Sequence, residues 1–96
     1  MLNEKGNIKI KHDIVLREEE EGSFLFDPNT GRICFLNETG TNIWRLCDKS
    51  KTPDQVITGV CSDYPEIPKE QIVQDCLKFL RDLEKLEFLS VKEENF

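Results

Sequence analysis

No run in this sequence approaches the roughly 20 apolar residues that a membrane-spanning helix needs, and Met1 to Lys11 lacks the apolar core of a secretion signal. Both absences point to the cytoplasm and away from a membrane. Histidine is nearly missing: His12 stands alone, with no Cys, Asp or Ser at a motif spacing, which argues against histidine-based catalysis. The four cysteines at 34, 47, 61 and 76 include no C-x-x-C pair. Zinc sites generally draw two ligands from one turn, so these residues read as reduced, mostly buried small hydrophobes. There is no Gly-rich phosphate loop and no Ser/His/Asp grouping. Positive charge is also short, with 13 Lys and Arg against 19 Asp and Glu and a net charge of −6. Nucleic-acid binding leans on Lys and Arg contacts to phosphate, so an acidic chain starts at a disadvantage there. These absences leave a binding module that uses no cofactor and no metal and is not an enzyme.

What is present is one domain. A chain of 96 residues buries only about two-thirds of its unfolded surface, enough for one small core. Residues 1–7 are polar and read as a flexible N-terminus, 8–91 as the domain, and 92–96 as a frayed tail.

From Ile8 the residues alternate strictly, with Ile8, Ile10, His12, Ile14 and Leu16 on one side. Period two predicts one extended strand with a buried face. Glu19 to Gly22 is a charged turn. Ser23-Phe24-Leu25-Phe26-Asp27 follows as a second strand, and its consecutive apolar residues predict burial on both faces. Asp27-Pro28-Asn29-Thr30-Gly31 is turn chemistry, and Arg32 to Leu36 is the third strand. Tight turns make the three an antiparallel meander with the third strand at an edge.

At Asn37 the pattern changes. Its side chain can cap the helix that follows, in which Ile43, Trp44, Leu46 and Cys47 form the buried face. Gly40, costly inside a helix, implies close approach of another backbone. Trp44 and Phe35 read as core. Thr52-Pro53-Asp54-Gln55 combines an N-cap, a proline at the first helical position and a capping box, opening a second helix that ends near Tyr64-Pro65. Pro68 opens a third, running to about Leu86. Its apolar residues cover about half the wheel, wider than one core requires, so the Val73 and Leu77 flank faces something further. Beside that flank lies a basic sector of Lys78, Arg81 and Lys85. Phe88 to Val91 alternates as a final strand. The fold class is α+β, a three-stranded antiparallel meander followed by three helices.

Arg17-Glu18, Gly22, Phe24-Leu25-Phe26-Asp27, Gly31, Leu36-Asn37 with Gly40, Ile43-Trp44 and Leu46, then Thr52-Pro53, Tyr64, Asp75, Phe79-Leu80 and Leu83 together resemble the PqqD family of pyrroloquinoline quinone biosynthesis. That family shares its fold with the recognition elements of ribosomally made, modified peptides. The resemblance spans about residues 13–91 and departs at Glu87-Phe88-Leu89, where a Gly-Leu-Ile type of segment is usual. It implies a winged helix-turn-helix-like fold. It also implies a non-catalytic chaperone that binds the leader of a precursor peptide and presents it to a modifying enzyme, often a radical S-adenosylmethionine protein. In the family the leader adds a strand beside the third strand, next to the third helix. The residues expected to bind here are Arg32, Ile33, Cys34, Phe35, Leu36 and Asn37 along the edge, Val73 and Leu77 as the wall, and Arg81 and Lys85 as attractors of acidic leader residues. An exposed edge strand has the unpaired main-chain groups that such β-augmentation uses.

Two other readings are open from sequence. One is a DNA-binding winged helix with Lys78, Arg81 and Lys85 on phosphates, opposed by the net charge and by Asp75, Asp82 and Glu84 on the same helix. The other is a structural subunit that docks on a folded protein. An exposed edge also permits strand exchange between two copies.

Overall fold

The computed structural model describes residues 6–50 and 52–92. The order is β1 (Asn7–Ile10), β2 (Val15–Glu19), β3 (Gly22–Phe26), β4 (Ile33–Asn37), α1 (Glu38–Lys49), α2 (Pro53–Asp63), α3 (Lys69–Lys85) and β5 (Leu89–Lys92). β2, β3 and β4 form an antiparallel meander, and β1 pairs antiparallel with β5 in a separate two-stranded sheet. The expected flexible ends, 1–7 and 92–96, fall mostly outside the described residues, but Asn7 and Lys92 themselves pair at the end of the small sheet.

The single strand expected from Ile8 to Arg17 is therefore two strands. The Lys11 amide is held by the Phe88 carbonyl, and the chain then turns at His12 and Asp13, where Asp13 takes a φ of 68°. Aspartate tolerates this left-handed backbone better than most residues. Alternation continues across the break because both halves bury the same parity of residue against one core, so the period alone does not reveal it.

One face of the meander is dry. Ser23 and Leu25 of β3 and Leu36 of β4 are buried, while Phe26, Ile33 and Phe35 are exposed. The expectation that β3 is buried on both faces is corrected by this: among the described residues no layer covers its Phe24 and Phe26 side. Phe35, expected in the core, is 56% exposed. It sits across from Phe24 on the open face, the two rings 5.3 Å apart edge to face. On the dry side all three helices contribute. Ile43, Trp44 and Cys47 of α1, Val56, Ile57 and Val60 of α2, and Ile72, Cys76, Leu80 and Leu83 of α3 pack with Leu25, Leu36 and Phe88 into one cluster. Trp44 is core, as expected.

The helix starts follow local chemistry. Asn37 caps α1 through Oδ1 and the Gly40 amide, 2.7 Å apart. Thr52 and Gln55 form the reciprocal capping box of α2, with Pro53 in the first turn. α3 has no side-chain cap; the Pro68 carbonyl takes the Gln71 and Ile72 amides instead. Gly22, with φ 152°, has no space for a Cβ, which would stand 2.2 Å from the Leu36 carbonyl oxygen. Gly40 is tight for another reason than expected. A Cβ there would meet Asn37 Oδ1 at 3.2 Å and the ring of Phe79 at 3.3 Å, so the close neighbours are the capping side chain and one from α3, and not a backbone.

Asp27 is the buried charge of the fold, 1% exposed. It accepts from Lys11 Nζ at 2.6 Å and from the Asn29 amide at 2.9 Å, joining the β3–β4 turn to the end of β1. The Lys11 hydrogen bond, opposed by burial, holds its carboxyl below the ordinary value. A carboxylate with a depressed folded pKa contributes stability above its unfolded pKa and loses it as pH falls through the folded one. The urea midpoint is thus expected to decline as pH drops from 5 to below the usual carboxylate range, and Asp27→Asn to flatten that decline. An unchanged slope in the variant assigns the acid sensitivity elsewhere.

Candidate functional site

The meander has two edges, and the sequence treats them differently. Edge strands invite unwanted pairing unless charge or inward-pointing ionic groups guard them. β2 is guarded. Its exposed residues include Arg17, Glu18 and Glu19, and Glu18 is ion-paired with Arg45 of α1. β4 is not: it reads Ile-Cys-Phe-Leu-Asn, with no charged residue.

The hydrogen-bond phase of β4 decides which main-chain groups are open. The Asp27 amide donates to the Arg32 carbonyl at 2.9 Å. In an antiparallel pair, bonded positions recur every second residue, so Cys34 and Leu36 also bond to β3, opposite Leu25 and Ser23. The amides and carbonyls of Ile33 and Phe35 then point away from the sheet, with the Asn37 amide. The Asn37 carbonyl accepts from Thr41 Oγ1 at 2.9 Å, which ends the strand.

Beside this edge lies α3, and between them is a hollow of about 320 Å³. Ligand pockets run from about 300 to 1,000 Å³, so this one takes side chains of an extended ligand better than a compact small molecule. Its sheet wall is Cys34, Phe35, Leu36 and Asn37, and its helix wall is Phe79, Asp82, Leu83 and Leu86, with Gly40 at one end. Of the residues named from sequence, the structure brings Cys34 to Asn37 together here, with Ile33 exposed next to them. Val73, Leu77, Arg81 and Lys85 do not line it. At about 100° per residue, Asp82 and Leu86 lie on one side of the Ile72, Cys76 and Leu83 stripe, and Val73 and Leu77 on the other. Val73 packs on the core. Arg81 and Lys85 are exposed. Phe79, Leu83 and Leu86 carry the apolar signal of any buried helix face, and nothing in sequence says which flank meets β4.

Charge in the hollow is set by Asp82. Lys78 Nζ donates to it at 2.8 Å; this bond first, and then the charges of Lys78, Lys85 and Arg81, hold its carboxyl below the ordinary value. The Cys34 thiol is pushed up by partial burial and then by Asp82. Deeper in, burial raises Cys47 to about 12 and Cys76 to about 11, so both remain neutral thiols. All four cysteines are free. Among the described residues no three His, Cys, Asp or Glu side chains are placed to hold a metal ion, and no helix is long and apolar enough to cross a membrane.

Comparison with known proteins agrees with this fold. Residues 22–89 match the family described as Coenzyme PQQ synthesis protein D (PqqD). The chain belongs to the PqqD family. The matched span runs from β3 to β5 and holds both walls of the hollow. Two solved structures are similar to this PqqD-family chain over most of its length. A structure of TbiB1 in complex with the TbiA(beta) leader peptide is 26% identical, with a TM-score of 0.77 over 90% of this chain and 99% of that one. A lasso peptide synthetase B1 complexed with the leader peptide shares the fold at 22% identity, with a TM-score of 0.72 over 88% of this chain and 98% of that one. Among curated proteins none matches the sequence.

Proposed function

We propose that this PqqD-family chain is a peptide-binding chaperone without catalysis of its own. It captures the leader of a ribosomally made precursor as a fourth strand beside β4 and presents it to a modifying enzyme, of which a radical S-adenosylmethionine protein is one example. The observation that carries this is the unguarded β4 edge, whose open Ile33 and Phe35 main-chain groups lie over an apolar hollow. Main-chain bonds supply affinity in such strand addition, and alternate side chains supply selectivity. One set would enter the Phe79, Leu83 and Leu86 side; the other would join Ile33 and Phe35 on the exposed sheet face. The leader complex of the similar TbiB1 supports the reading. Four free cysteines accord with the reducing cytoplasm, where precursor peptides are made.

The DNA reading needs the basic residues of α3 to be available for phosphate, yet Lys78 is engaged by Asp82. Arg81 and Lys85 are expected to act on the peptide at longer range, through the charge they place around Asp82.

The test is an amide NMR titration with the leader of any precursor encoded beside this gene. Shifts on 33–37 and on Phe79, Asp82 and Leu83 are expected. Shifts confined to α3 on adding duplex DNA, with none from any leader, would overturn the proposal. Leu77→Asp separates the two flanks of α3, since a groove at Phe79 and Leu83 leaves leader affinity in that variant unchanged. A folded Leu77→Asp protein with lost affinity moves the wall to the Val73 side.

A further inference from the structure

The groove between β4 and α3 is closed at both ends, by different means. At one end the backbone itself turns away. Asn37 gives its carbonyl to Thr41 and its side chain to Gly40, and the Phe79 ring packs against Gly40. At the other end a single side chain crosses. Arg32 precedes β4, and its backbone is already engaged, the amide by Thr30 Oγ1 at 3.2 Å and the carbonyl by the Asp27 amide. By alternation its side chain leaves on the face of Cys34 and Leu36, toward α3. There Nη1 donates to the Leu86 carbonyl at 2.8 Å. Leu86 lines the hollow and is the C-cap of α3, where unpaired carbonyls and the helix dipole favour a cation.

We propose that the Arg32–Leu86 contact is a bolt joining the two walls of the groove, which fixes where an added strand must stop. This rests on the strand-addition reading above and sets the length of ligand that the site can pair. Only Ile33 to Asn37 offers main-chain partners, which at about 3.4 Å per residue is about 17 Å of strand. A ligand residue reaching Arg32 finds its carbonyl turned to β3 and the guanidinium across its path, so the peptide leaves the groove there. The bolt is exposed, and a neutral short side chain at 32 removes it without opening the core.

The experiment uses a peptide selected against the wild-type protein from a random display library. It is synthesised as the minimal binding core and as that core extended by a few residues toward Arg32. In the wild type the two lengths are expected to bind within about twofold. In Arg32→Ala the extension can run on past the opened end and bury side chains against Leu86, so the ratio of long to short affinity is expected to rise about fivefold or more, with the Leu86 amide shifting only for the long peptide. Arg32→Lys keeps the charge but lacks the planar guanidinium fork; it is expected to fall between the two, and it serves if the alanine variant unfolds. An equal ratio in all three proteins, with β4 amides still shifting on binding, overturns the bolt and leaves strand addition standing. A selected peptide that shifts no β4 amide overturns both.

Discussion

Phe35→Pro is expected to abolish most leader binding in a domain that stays folded. The Phe35 amide points away from β3, so proline removes no bond of the meander. Proline is tolerated on edge strands for this reason. What it removes is a donor to the incoming strand, and its ring stands where that strand must lie. The ligand carbonyl left without a partner costs about 1–3 kcal/mol, roughly fivefold to 150-fold in affinity. Titration of the variant beside Phe35→Ala reads the backbone effect apart from the lost ring contact with Phe24. Cys34→Pro is the opposite control: its amide is a rung of the β3–β4 ladder, so that variant is expected to lose the fold. Full binding by a folded Phe35→Pro protein would place the peptide somewhere other than this edge.

Phe88→Ala is expected to be the most damaging single truncation for stability. Phe88 is 1% exposed and stands where three elements meet. Its amide goes to the Leu83 carbonyl of α3, and its carbonyl takes the Lys11 amide after β1. Glu87 before it is in the left-handed region, φ 64°, so the chain reverses sharply to drive the ring inward. Truncating a buried phenylalanine costs about 3–5 kcal/mol, against about 5–15 for a whole domain of this kind. Urea unfolding should show a much lower midpoint with an unchanged slope. A loss below about 1 kcal/mol would mean that the ring contributes little to the cluster.

These residues also show where sequence was informative. Asn37, Thr52 and Gln55 were legible because a cap is decided within four residues of chain. The third strand was legible as an edge because it ends the meander, but the guard on the other edge was not, since it combines the charges of β2 with an ion pair from Glu18 to Arg45 of α1, a tertiary contact. The division of β1 from β2 was not, since Ile8 through Leu16 keep one parity while changing partners from β5 to β3. Phe35 was misplaced because an aromatic next to a helix start is equally compatible with either face of the strand. The wall of the groove at Phe79, Asp82, Leu83 and Leu86 was missed for a related reason. A helical wheel measures how wide an apolar arc is, but the neighbour on each flank is set by tertiary packing, here by Gly40 of α1 admitting the Phe79 ring.

The pairing of Glu18 with Arg45 has a meaning beyond protecting β2. A sheet with two open edges is a bifunctional monomer: each copy that joins presents a fresh site, and the product is a fibre. With one edge guarded, this domain is closer to monofunctional. The sheet therefore favours one edge over the other for an incoming strand, which limits the ways in which copies at high concentration can propagate.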